Sequence, residues 1–111
     1  MSNTFNIERS ILASVLNSEQ DIELNKQFFT DEFHRKLVDG INRLKQLGEY
    51  IDFETLRYKF MKVNKWSLSE DQQILSIMCN TTPFSTKEII TTYYDILKKE
   101  YFDNSDMRFS I

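Results

Sequence analysis

The residues able to do chemistry in this chain are few, and their spacing argues for positioning rather than reaction. The single histidine, His34, stands beside Arg35. Nucleophilic catalysis by Ser or Cys needs a base within reach and a third group to orient it, so one imidazole would have to serve any such arrangement. The plainer reading is that His34 packs at a helix start and hydrogen-bonds a neighbouring carbonyl or carboxylate. Cys79 is the only cysteine, which precludes an internal disulfide, and one His with one Cys makes no zinc site. Phosphate-binding loops need several glycines, whereas Gly40 and Gly48, the only two here, fall mid-helix and at a helix end. The acidic pairs Asp31-Glu32 and Glu70-Asp71 fall at helix starts, where dipole and capping account for them without acid–base work or a bound Mg²⁺. No catalytic residue, metal or cofactor is expected.

Two constellations remain that could bind rather than react. Arg57, Lys59, Lys62 and Lys65 interleave with Tyr58, Phe60 and Trp66, a pattern that contacts single-stranded nucleic acid through charge and stacking. It equally describes the wet face of a helix that buries Leu56 and Phe60. A net charge of -3 and a pI near 5.1 favour weak or no direct nucleic-acid binding, since such affinity rests on clustered Lys and Arg neutralising phosphates. The second constellation is Tyr93, Tyr94, Lys98, Tyr101 and Phe102. Most of these rings belong in a core, yet aromatics beyond what a small core can hold are what protein interfaces use as anchors.

The elements that must position these residues are helices. The chain has 111 residues with two Gly, one Pro, 41% apolar and 28% charged residues, a composition that supports one globular domain and supplies few turn-makers for a many-stranded sheet. Its mean hydropathy of -0.47 and the lack of any run of about 18 apolar residues predict no membrane span. The first residues, Met1 to Glu8, lack a basic start and apolar middle, so a cytoplasmic location is expected. Ile7, Ile11, Leu12, Val15 and Leu16 recur at helical spacing, with Asn6 as a cap and Glu8, Arg9 and Ser14 at the intervening polar positions. Ile22 to Gln27 predicts a turn or two of helix. Thr30 to Leu47 carries a continuous stripe of Phe33, Leu37, Val38, Ile41, Leu44 and Leu47, and Gly48 stops it.

A new helix starts at Asp52, whose carboxylate can accept from Glu54 or Thr55, with Ile51 as a staple against Leu56. Ser69 with Gln72 reads as a capping box for a short helix, and Ser85 with Glu88 as another for a helix through Tyr101. Asp103-Asn104-Ser105-Asp106 is polar and turn-like. The fold class is therefore all-α, a compact bundle of five to six helices over residues 1–102, with 103–111 a tail or the start of a truncated helical hairpin.

With the helices placed, the stretch from Phe29 to Phe60 resembles the N-terminal domain of DnaB-type replicative DNA helicases. The resemblance is carried by Phe29, His34-Arg35, Leu37-Val38, Ile41, Leu44, Gly48, Ile51-Asp52 and Thr55-Leu56, in the family's spacing without a gap. The opening helix, with Glu8 before an apolar pair, and Thr82-Pro83 followed by Tyr93-Tyr94 are similar to the family's first and last globular helices. Ala13 stands where Gly is common, and the Gly-Gly of many members is missing between 61 and 80.

The resemblance implies a domain that does not hydrolyse ATP, which in such helicases is the work of a separate motor domain. It further implies a role in forming a collar, pairing with its own kind and docking primase; for this chain by itself a monomer or weak dimer is expected. Partners would be replication proteins: primase, helicase or a helicase loader. Three other readings stand beside it. They are the helicase-binding C-terminal domain of primase, which resembles this fold, a free-standing phage or plasmid protein that engages the helicase, and a single-strand DNA-binding module.

Overall fold

A computed structural model describes the backbone of residues 4–18, 22–63, 67–80 and 86–109, and the side chains of 4–16, 22–59, 67–79 and 86–103. Five α-helices carry the described residues: α1 (Phe5–Ser18), α2 (Glu32–Gln46), α3 (Phe53–Val63), α4 (Leu68–Asn80) and α5 (Lys87–Phe109). A single 3-10 turn, Lys26–Phe28, lies between α1 and α2. No strand occurs among the described residues. The all-α bundle is as the composition and periodicity require.

Helix α1 is the centre of the bundle and packs against α2, α4 and α5. Residues 11 to 16 are all buried, with Ile11, Leu12 and Ala13 fully so, which marks a helix enclosed on every side over this stretch rather than along one stripe. Two corrections follow for its polar positions. Glu8 and Ser14 are interior, both at 0% exposure, and the Ser14 hydroxyl is satisfied by donating to the Ser10 carbonyl at 2.6 Å. The helix starts one residue before Asn6; Thr4 takes the capping position, and its carbonyl accepts the Glu8 amide at 2.8 Å.

The boundaries of α2 are written in local chemistry. Asp31 Oδ1 accepts the His34 amide at 3.1 Å, satisfying one of the donors a helix start leaves unpaired, and Glu32 adds negative charge in the first turn. At the other end Gly48 has φ +69°, a left-handed conformation that glycine adopts without a side-chain clash. Its amide donates to Lys45 O at 3.1 Å and the Glu49 amide to Leu44 O at 2.9 Å, the paired bonds of a Schellman ending. Between the ends, Phe33, Leu37, Val38, Gly40, Ile41 and Leu44 are buried, whereas Leu47, expected to close the stripe, is the C-cap that follows the last helical residue and is 62% exposed.

The later helices differ from expectation mainly at their starts. Asp52 Oδ1 accepts the Thr55 amide at 2.7 Å and begins α3 where the sequence placed it. The cap of α4 is Ser67 rather than Ser69: the Glu70 amide donates to Ser67 Oγ at 3.1 Å while Glu70 Oε1 accepts the Ser67 amide at 3.2 Å. Both Ser-x-x-Glu/Gln patterns fit a capping box, and the buried set decides between them, since α4 turns Asp71, Ile74 and Ile77 inward. For α5, Ser85 lies outside the described residues, as do Thr82 and Pro83; Thr86 caps the helix by accepting the Ile89 amide at 3.2 Å. The polar run from Asp103 to Asp106 is not a turn, because α5 continues through it to Phe109.

Ile22 to Asn25 forms no helix, Asn25 being extended, and only Lys26–Phe28 makes a helical turn. Its backbone is held from both sides. Asn42 donates to Leu24 O at 2.9 Å, Lys45 to Ile22 O at 2.6 Å, and the Asn25 amide to the Tyr94 hydroxyl at 2.7 Å. These bonds fix Phe28 and Phe29 between α2 and α5, where Phe29 is 1% exposed.

Candidate functional site

The most constrained polar group in the molecule is the Glu8 carboxylate. Oε1 lies 2.9 Å from His34 Nδ1 and accepts the Asp31 amide at 3.4 Å. Oε2 accepts the Thr4 hydroxyl at 2.8 Å, the Thr30 hydroxyl at 2.7 Å and the Thr30 amide at 3.1 Å. Both partners of the Glu8–His34 pair are buried, and Phe5 covers the imidazole with ring centroids 4.9 Å apart. Burial pushes the carboxyl up, but the hydrogen bonds from His34, Thr30 and Thr4 outweigh it and hold the group below the usual glutamate range. Glu8 is therefore an anion surrounded by donors at the mouth of α2, where the helix dipole also favours negative charge.

This arrangement joins α1 to the start of α2 and does no chemistry that the geometry reveals. His34 has the carboxylate partner its position called for, and no Ser or Cys is bonded to it among the described residues. No group of three or more His, Cys, Asp or Glu able to hold a metal occurs among the described residues. The sequence reading missed Glu8 as the partner. One signal was available: Glu8 stands three and four residues before Ile11 and Leu12, on the face that must be buried.

Most of the remaining residues of the family pattern lie in the core or at helix ends. Phe29 and Leu56 are core, Gly48 and Asp52 terminate and initiate helices, Thr55 supplies the amide that Asp52 caps, and Arg35 is exposed on α2.

The two described cations of the basic constellation, Arg57 and Lys59, both face carboxylates. Arg57 makes a two-pronged contact with Asp71, Nε to Oδ1 at 2.8 Å and Nη2 to Oδ2 at 3.0 Å, and a looser one with Glu54 at 3.5 Å. Asp71 is held low by that guanidinium, and hydrogen bonding to Asp71 raises Arg57 in turn. Lys59 pairs with Glu49 at 3.2 Å. Arg57 thus ties α3 to α4. The side chain of Lys62, and Lys65 and Trp66 entirely, lie outside the described residues, as does the Phe60 side chain.

The aromatic constellation is divided. Tyr94 is 4% exposed, its hydroxyl accepting from Asn25 and its ring flanked by Phe28 and Phe29, so it belongs to the interior and is not a surface anchor. Burial pushes its hydroxyl up, against the lowering effect of the Asn25 amide. The reason is helical phase: Ile90, Tyr94 and Leu97 form the inward row of α5. Tyr93 is partly buried against the core. Lys98 lies on the surface with its ammonium 5.1 Å from the Tyr94 ring centroid. Tyr101 and Phe102 are 36% and 53% exposed, each meeting Phe28 with centroids 5.3 and 5.8 Å apart and each other at 5.3 Å. Phe28, absent from the sequence-derived set, is thus the ring that anchors this cluster.

An all-α domain built around a central first helix, with most of its family-pattern residues at caps and in the core, is consistent with the resemblance noted above. Residues 1–99 match the family model for the DnaB-like helicase N terminal domain. The chain belongs to that family. No curated protein and no solved structure matches it. Within this DnaB-like domain, Tyr101 and Phe102 fall just beyond the matched residues, on the continuation of α5. No helix among the described residues is long and apolar enough to cross a membrane.

Proposed function

We propose that this domain is a non-catalytic protein-interaction element of the replication machinery, a replicative-helicase N-terminal domain that takes part in collar assembly and docks primase or a loader, in the cytoplasm. Membership of the DnaB-like family carries the reading. The exposed aromatic pair supports the surface: Tyr101 and Phe102, seated on Phe28 and bordered by Lys98, form an apolar patch of the kind that becomes an interface centre when a partner excludes water from it. The same patch would serve weak self-association. The direct-DNA alternative is disfavoured because Arg57 and Lys59 already face carboxylates.

A pull-down with helicase and primase from the same cell tests the proposal. One of them is expected to be retained, with retention lost on Phe102→Ser and kept on Lys59→Ala. Retention of neither, or equal retention by the Phe102 variant at unchanged folding, would count against the interaction reading or against this surface, respectively. A labelled oligonucleotide is expected to bind weakly or not at all at physiological salt.

A further inference from the structure

Arg9 is a partly buried cation that the fold leaves incompletely paired. It reaches from α1 to α4, where Nη2 donates to Ser76 Oγ at 3.2 Å, and its guanidinium lies 5.8 Å from the Phe5 ring centroid. Its Nε is buried without a hydrogen-bond acceptor, the only such side-chain atom among the described residues. No carboxylate among those residues forms an ion pair with it, whereas Arg57 on the neighbouring seam has both Asp71 oxygens. A donor taken out of water with no acceptor is destabilising, and a guanidinium fork is matched in shape and charge by a carboxylate. Beside it Phe5 is 43% exposed although its ring is held in place against His34. An exposed ring packed on His34 next to an unmatched fork presents one apolar contact and one charged contact side by side.

We propose that the α1–α4 seam at Arg9 and Phe5 is a second docking surface, for a protein segment that presents an Asp or Glu carboxylate beside an apolar side chain. The carboxylate takes the Arg9 fork and the apolar residue lies on Phe5. Nε becomes available as the guanidinium swings away from Ser76, because a neutral hydroxyl is a weaker acceptor than a carboxylate. This surface shares no residue with the Phe28, Tyr101 and Phe102 patch, so either can fail without the other.

Two measurements on the full chain test it. In the first, the arginine side-chain Nε–H resonances are followed by NMR while sodium acetate replaces sodium chloride at constant ionic strength. The Arg9 signal is expected to shift saturably and several-fold further than those of the exposed Arg35 and Arg43. A response no larger than theirs would overturn the proposal. In the second, a random peptide library is panned on the immobilised Phe102→Ser chain, which silences the other patch. Selected peptides are expected to carry Asp or Glu next to an apolar residue, and to lose about tenfold or more in affinity on Arg9→Gln but less on Arg9→Lys. Peptides lacking that pattern, or indifferent to Arg9→Gln, would sink it. Should Arg9→Gln unfold the chain, the acetate titration of the unaltered protein still decides.

Discussion

Two regions of this domain invert the usual placement of residue types. Around Glu8 a charged carboxylate and an imidazole are buried at the junction of α1 and α2, with each carboxylate oxygen accepting from named donors. At the far part of α5, Tyr101 and Phe102 leave substantial apolar area in water. The first inversion is tolerable because the donors replace the hydration the carboxylate has lost. The second has no such internal compensation. A buried polar group that is fully partnered signals architecture, whereas apolar rings left outside a completed core signal a surface awaiting contact. The comparison predicts opposite responses to mutation: stability should fall at Glu8 and hardly change at Phe102, while binding should behave in the reverse way.

The largest expected effect is at Glu8. Glu8→Ala removes the acceptor of Thr4, Thr30 and His34 together and opens a gap beside the buried His34 ring, so a loss of about 3–5 kcal/mol is expected from urea unfolding. That is a large share of the stability of a domain this size. A loss below about 1 kcal/mol would show that the network is dispensable and would erase the contrast with α5. Tyr94→Ala comes next, at about 3–5 kcal/mol for a buried aromatic, and separates the inward row of α5 from its exposed pair. Tyr94→Phe retains the ring but leaves the Asn25 amide without its acceptor, which costs about 1–2 kcal/mol.

Acid should report the same region. The folded-state carboxyls of Glu8, Glu70 and Asp71 are all held below their ordinary values, by His34 and the threonines against burial, by Lys36, and by Arg57 respectively. A depressed folded pKa means that the unfolded chain binds the proton first. The stabilisation is therefore complete above the unfolded carboxylate range, near pH 4–4.5, and is lost as pH falls through the folded values. The contribution of these three carboxyls to stability is expected to fall in this acid range. Glu8→Gln should shallow the fall, and an unchanged acid limb would show that Glu8 is not among the groups responsible.

The comparison also explains what the sequence made legible. Helix content, the Asp31 and Asp52 caps, the Gly48 stop and the α2 stripe from Phe33 to Leu44 follow from local rules, since each depends on residues within one or two turns; Leu47 fits the same period but lies past the last helical residue and is exposed. From the sequence Glu8 reads as a polar-face residue, because its partners Thr30 and His34 are 22 and 26 positions away. Nothing in α1 alone names them. The α4 start shows the same limit on a smaller scale: Ser67-x-x-Glu70 and Ser69-x-x-Gln72 are equivalent as local patterns, and the inward positions of Asp71, Ile74 and Ile77 select between them. Tyr93, Tyr94, Tyr101 and Phe102 were recognised as a mixture of core and surface, and the division needed Phe28, which meets Tyr94, Tyr101 and Phe102 from another element.

A cap offers a finer test of how far local chemistry carries the fold. Ser67→Ala removes the acceptor of the Glu70 amide on an exposed helix start, so a loss of about 1 kcal/mol is expected, against none for Ser69→Ala. Equal effects at the two serines would return the choice of cap to the local pattern and remove the role given to the buried face.

The smallest stability effect is expected at Phe102, and it is the most informative of the set. The ring is more than half exposed, and its contacts with Phe28 and Tyr101 are at the surface. Phe102→Ser should therefore change unfolding free energy by no more than about 0.5–1 kcal/mol, in the range of surface substitutions plus one exposed aromatic pair. If partner retention is lost at that small cost, stability and binding are carried by different parts of the chain. A large stability loss instead would mean that Phe28 needs Phe102 to close the core. The α5 aromatics would then belong with Glu8 as architecture, and the docking surface would have to be sought at Arg9 and Phe5.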